Sequence, residues 1–213
     1  MASATANLTL QQFARQIAAG PTPAAVAVSA TTAAFALQLA AMALQVSARH
    51  RDFAGAPRAF AQLNLAARNR ADDLMRLADE DSAAFNEYLT CLRMPRNTAA
   101  ERAARQRAAG AALRRAIEIP LAVAHTALDG LESCVQAADG IHQAVAADLA
   151  GAATLLSGSI AATLLSVDAN LRRLMREDEF YRTAVAQRQE LETRSSQACG
   201  RIRTILCGAL GSA

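Results

Sequence analysis

The segment TPAAVAVSATTAAFALQLAAMALQVSAR, residues 22–49, decides the fold. It holds no charge before its last residue, and the uncharged run starts at Gln16. Length alone would let such a helix cross a bilayer. Its content points elsewhere: alanine, threonine, serine and glutamine dominate, and leucine and phenylalanine are few. Small side chains on all sides suit a helix buried among other helices of a soluble bundle, so no membrane span is expected. Gly20-Pro21-Thr22-Pro23 marks the entry. Thr22 is placed to cap the helix and Pro23 to occupy its first position, where a missing N–H is tolerated. Arg49 closes it with a cation favoured at a helix C-terminus.

The rest of the chain carries helix signals and almost no strand signals. Thr9 with Gln12 forms a capping box ahead of a short helix ending near Ala19. Gly55-Ala56-Pro57 opens a long helix from Pro57 to about Leu92, which Pro95 ends. Thr98 with Glu101 is a second capping box, and its helix runs toward Val135 with Pro120 inside it. A fifth helix is expected from about Ile141 to Met175 and a sixth from about Asp178 to Leu206. The expectation is an all-α, single-domain bundle of about six helices over residues 1–213, with no repeat and no linker.

Composition narrows the chemistry. The 22 basic residues are all arginines, which excludes a lysine Schiff base and a Walker-type phosphate loop. A net charge of +3 without an aromatic-rich basic stripe gives no nucleic-acid signature. Cys91, Cys134, Cys199 and Cys207 are far apart and read as reduced thiols, and no metal site is expected. The first basic residue is Arg15, so no charged segment precedes an apolar core as in a secretory signal, and the expected location is cytoplasmic.

Some residues break the apolar pattern. Asp81 falls on the stripe of Leu74, Leu77, Phe85 and Tyr88. A carboxylate there is either satisfied by a structural partner or open to a cleft. Asp148 is the next charge after Asp139 and stands at the head of the apolar fifth helix. It either balances the helix dipole or lies at the mouth of a site. His125, in an apolar stretch, reads as a hydrogen-bonded core residue. His50 and Arg51 are either a solvated helix end or the rim of an anion site.

The order of these features resembles the cyclodeaminase/cyclohydrolase family. That family comprises the cyclodeaminase half of formimidoyltransferase-cyclodeaminase and the stand-alone methenyltetrahydrofolate cyclohydrolases. Pro21-Thr22-Pro23 is similar to the family's Pro-Thr-Pro-Gly-Gly-Gly. Asp81-Ser82-Ala83-Ala84-Phe85 followed by Met94-Pro95 is similar to its Asp-x-x-Ala-Phe and Leu-Pro. Glu101 to Arg105 and Ile119-Pro120-Leu121 resemble its Glu-x-x-x-Arg and Val-Pro-Leu. Asp148 stands at its Ser-Asp, and Val167 to Asn170 at its Val-x-x-Asn.

The resemblance implies a helical fold that pairs into a homodimer, with a small-molecule substrate held near the partner subunit. It implies acid–base chemistry at the one-carbon bridge of tetrahydrofolate, with no cofactor beyond a folate as substrate. It further implies site roles for Asp81 and Asp148 as proton-transfer groups. Thr22, Pro23, Ala24, Ala25, His50, Arg51 and Arg105 would be substrate-binding residues, and Asn170 would either bind substrate or bond two helices.

Three departures qualify it. Ala24-Ala25-Val26 replaces three glycines and is expected to narrow the cleft. His50-Arg51-Asp52 replaces a lysine-rich turn, and His142 to Ala147 replaces an asparagine-containing loop. Together they favour a family enzyme acting on a non-folate imine, amidine or amine. The alternatives are a genuine tetrahydrofolate cyclodeaminase or cyclohydrolase, and a non-catalytic helical partner protein.

Overall fold

The computed structural model describes residues 5–20, 24–51, 53 and 56–210, with side chains described to Leu206. Six α-helices follow one another: α1 (Leu10–Ala19), α2 (Ala25–Arg49), α3 (Pro57–Leu92), α4 (Ala99–Ala137), α5 (Ala146–Leu171) and α6 (Glu179–Leu210). No strand occurs among the described residues.

Local chemistry sets most of the ends. Both capping boxes form: Thr9 with Gln12 opens α1 and Thr98 with Glu101 opens α4. Pro57 occupies the first turn of α3. Pro120 lies inside α4 and is buried, where its missing N–H leaves one carbonyl of the ladder without its usual donor. Two expectations are corrected. Helix α2 begins at Ala25, after Ala24, with no side-chain cap, while Thr22 and Pro23 lie outside the described residues. Helix α5 begins at Ala146, because a 3-10 turn over Gln143–Val145, capped by the His142 side chain, takes the residues before it.

Helices α2, α3, α4 and α5 run up and down in a closed cycle, each packing on the next and α5 on α2, and α6 lies across α4 and α5. One core joins them. On α2 it is made of alanine: Ala30, Ala33, Ala36 and Ala43 are fully buried around Leu37. Such side chains let helix axes approach closely. At Gly130 on α4 the Leu37 side chain lies directly against the helix backbone, so a Cβ there would run into it. Larger residues, Leu74, Leu128, Leu131, Leu149, Leu156 and Leu164, fill the rest of the interior.

Helices Ala25–Arg49 and Gln143–Leu171 are long and apolar enough to span a membrane by length and composition. Within their apolar windows, 61% and 44% of residues are buried against the bundle, as core helices are. The outer face of α2 is not covered: Val28, Phe35, Met42 and Val46 are exposed.

Candidate functional site

The hydrogen bond from Asn64 Nδ2 to the Ala41 carbonyl fixes the register of α3 against α2. The two helices are antiparallel, so Asp81, seventeen residues beyond Asn64, lies level with Ala24. Residues at the start of α2 and Asp81 therefore share one end of the bundle. There Ala24 is half-buried, Ala25 exposed and Val26 packed in the core. The core absorbs the Val26 side chain, which leaves Ala24 and Ala25 as the replacements that reach the surface at this end. No described residue has positive φ, so the backbone at Ala24 to Val26 is one that any L-residue adopts.

Asp81 stands in a row of three acids with unlike surroundings. Asp79 accepts from the backbone N–H and the hydroxyl of Thr5 at 2.8 and 2.6 Å. Glu80 pairs with Arg76 at 2.7 Å. Asp81 is half-buried, and among the described residues no donor or cation is bonded to it. Burial alone pushes its carboxyl up to about 6 from an ordinary 3.8. Such a group changes protonation close to neutral pH, which is what proton transfer to a leaving nitrogen requires.

At the other end of α2, the chain is fastened to the start of α5. The His142 backbone N–H donates to the Ser47 hydroxyl at 2.9 Å. The His142 ring accepts from the Ala144 N–H through Nδ1 at 3.2 Å, so the neutral ring bonded this way carries its proton on Nε2. It stacks on His50 with centroids 3.5 Å apart. Arg51 is exposed, and Asp148 is half-buried in the first turn of α5. Asp148, His50 and Arg51 thus belong to one end, and Asp81, Ala24 and Ala25 to the other. From Ala24 to Ser47 the helical rise separates these ends by roughly 35 Å. Within one chain the structure does not bring Asp81 and Asp148 together.

Two further predicted residues have structural bonds. Arg105 donates through Nε and Nη2 to the Leu92 carbonyl, at 3.1 and 2.9 Å, closing the end of α3. Asn170 Nδ2 donates to the Ala116 carbonyl at 2.8 Å, tying α5 to α4. His125 is half-buried on α4.

Sequence reasoning missed the ion pairs that hold α6. Arg188 grips both oxygens of Asp168 at 3.0 Å and also pairs with Glu192. Arg194 grips Glu132 and pairs with Glu190 at 3.0 Å. The four-residue spacing of Arg188–Glu192 and Glu190–Arg194 is visible in the chain, but their partners on α5 and α4 are not. These pairs border cavities of about 470 and 380 Å³. A cavity of about 560 Å³ lies between α3 and α4, lined by Phe60, Leu63, Arg70 and Ser133. Neither Asp81 nor Asp148 lines any of the three. No group of three His, Cys, Asp or Glu side chains fit to hold a metal ion occurs among the described residues.

Residues 9–190 match the protein-family model described as formiminotransferase-cyclodeaminase. Formimidoyltransferase-cyclodeaminase of Sus scrofa is 27% identical over 199 residues, which cover 91% of this chain and 36% of the pig protein. The protein of the same name from Gallus gallus is 28% identical over 116 residues, or 54% of this chain and 21% of the chicken protein. The chain thus spans about a third or less of the length of these curated relatives. Its fold is similar to that of the formiminotetrahydrofolate cyclodeaminase of Thermotoga maritima, with a TM-score of 0.84 at 22% identity, over 96% of this chain and 98% of that one.

Proposed function

The chain belongs to the formiminotransferase-cyclodeaminase family, and from that premise we propose that it is a tetrahydrofolate one-carbon enzyme that expels ammonia from 5-formiminotetrahydrofolate. The names of its relatives support this folate substrate better than the non-folate imine, amidine or amine that the sequence departures favour. The observation that carries the proposal is Asp81, a half-buried carboxyl with no bonded partner among the described residues, held near 6 by burial at the family's Asp-x-x-Ala-Phe position.

The chemistry balances with acid and base alone. N10 attacks the carbon of the formimino group in its protonated, amidinium form, making a C–N bond and giving up its own proton, while the C=N electron pair moves onto the terminal nitrogen, which becomes a neutral amino group. The carbon becomes tetrahedral between two ring-system nitrogens and an amino group. Asp81 in its acid form protonates the amino group, the C–N bond to it breaks, and ammonia leaves with the 5,10-methenyl cation remaining. With its carboxyl near 6, about one molecule in ten carries the proton at pH 7. The low-polarity surroundings that raise the carboxyl also make the transfer effective. Asp148, at the far end of the bundle from Asp81 within one chain, takes the role of the base that receives the N10 proton only where a second copy of the chain completes the site. Run with water in place of ammonia, the same carbon centre gives cyclohydrolase chemistry.

The working form in this proposal is a homodimer in the cytoplasm that binds a small molecule. Its support is the exposed, uncharged outer face of α2. The second substrate class, a non-folate imine, amidine or amine, is favoured by Ala24 and Ala25 in place of glycine and by the absence of lysine beside His50 and Arg51. The test follows methenyltetrahydrofolate by absorbance with purified protein. Enzyme-dependent appearance from the formimino compound is expected. A folded protein that alters neither the formimino nor the methenyl compound would refute the folate substrate in favour of the second class.

A further inference from the structure

We propose that the cavity between α3 and α4 binds a small organic monocarboxylate, whose carboxylate pairs with Arg70 while its apolar body packs on Phe60 and Leu63. The site stands apart from the ammonia-expelling chemistry proposed above. Arg70 lies roughly 16 Å along α3 from Asp81, and neither Asp81 nor Asp148 lines the cavity.

Arg70 carries the inference. It is half-buried on the cavity wall. Its one hydrogen bond runs from Nη1 to the Ser133 hydroxyl at 3.4 Å, a long contact to a neutral group. The acids closest in the helical pattern are engaged elsewhere: Asp73 with Arg76 on α3, and Glu132 of α4 with Arg194. No acid among the described residues pairs with Arg70. A guanidinium offers five N–H donors. One that has lost part of its water shell with no counter-ion is an uncompensated charge, and an anion in the cavity would compensate it.

The walls select the ligand. Arg70 is the one charged side chain among the described residues that line the cavity, so a single negative charge balances it and a dianion would be left half unpaired. Its planar fork matches a planar carboxylate through two parallel bonds. The Ser133 hydroxyl donates to the Asp129 carbonyl at 2.8 Å, so its proton is not available to an anion. Gln62 and Gln136, exposed at the rim, carry amide donors that are. The remaining wall is apolar. Phe60 is buried and held edge-on by Phe53 with centroids 4.8 Å apart, and Leu63 is half-buried beside it. A volume of about 560 Å³ lies within the range of roughly 300–1,000 Å³ usual for small-molecule sites, which leaves room for a body the size of an aromatic ring.

Calorimetric titration with 3-phenylpropionate tests it, with 3-phenylpropanamide as the uncharged analogue and acetate as the carboxylate without a body. The wild type should bind phenylpropionate at least about tenfold more tightly than either control, the usual worth of a charge-assisted pair. Arg70→Met should lose that preference for the acid over the amide. Ala66→Leu, which fills the cavity and leaves the guanidinium in place, should weaken phenylpropionate by a similar factor. Without ligand, Arg70→Met should melt no lower than wild type, because it removes a charge that has no partner. Equal binding of acid and amide, unchanged binding by Arg70→Met, or no binding at millimolar phenylpropionate would overturn the site. An Arg70→Met protein that melts lower would show that the guanidinium already has its partner, and would overturn it too. The titration involves no folate, so its failure and that of the folate substrate are distinguishable.

Discussion

Replacing Asp81 by asparagine separates stability from activity in opposite directions. Burial raises the folded-state carboxyl from 3.8 to about 6, with no compensating bond. At neutral pH the native protein therefore holds an ionised group in a poor solvent. Two pKa units correspond to about 3 kcal/mol, an upper figure because the group is only half-buried. The sign is fixed by linkage. A carboxyl whose folded value lies above its unfolded value gives the folded state the larger proton count. Its penalty is absent below pH 4, grows as pH rises from about 4 to about 6, and is complete above that. Asp81→Asn is isosteric and cannot ionise. At pH 7.5 it should stabilise the protein by up to about 3 kcal/mol, a rise on the order of 5–10 °C in midpoint for a chain of this size. At pH 4 the two proteins should melt alike. Turnover should fall by about 10²- to 10⁴-fold, the usual worth of a positioned acid. The assay is thermal or urea unfolding of both proteins at pH 4, 5, 6 and 7.5, followed by initial rates at pH 7.5. A variant less stable than wild type at pH 7.5, or one whose difference from wild type does not change with pH, would show that the carboxylate has a structural partner and would refute the reasoning.

Two other outcomes follow from packing. Gly130→Ala forces a methyl into the fully buried Leu37 side chain and should destabilise by about 1–3 kcal/mol, read as a lower urea midpoint with an unchanged m-value. Burial pushes the Cys134 thiol up to about 12, so in the native protein its alkylation, followed by mass spectrometry site by site, should be far slower than that of the half-buried Cys91 and Cys199. Equal labelling of all three would contradict the buried setting of α4.

Much of the fold was legible because helix ends are written in local chemistry. Thr9, Pro57 and Thr98 each name a start, and the observed helices begin at or immediately after them. Where the helix opens on alanine with no polar cap, as at Ala25 and Ala146, the boundary was missed by a few residues. Asp81 was legible as an intruder in an apolar stripe. Its neighbours Asp79 and Glu80 look the same in sequence, and only the structure shows that Thr5 and Arg76 satisfy them. The separation of Asp81 from Asp148 was not read, because family spacing says which residues recur and not which end of a bundle each reaches. Asn170 and Arg105 show the same limit: each bonds a carbonyl far away in the chain, which no local pattern announces.

The alanine seam along α2 bears on how the protein responds to temperature. A buried alanine removes much less apolar surface from water than a leucine does, and close backbones supply cohesion through dispersion instead. The heat-capacity change of unfolding scales with the apolar surface exposed. A core built around Ala30, Ala33, Ala36 and Ala43 therefore gives a smaller change per residue than a leucine-packed one. Its curve of stability against temperature is correspondingly broad and shallow, so the bundle loses little on cooling and declines gradually on warming.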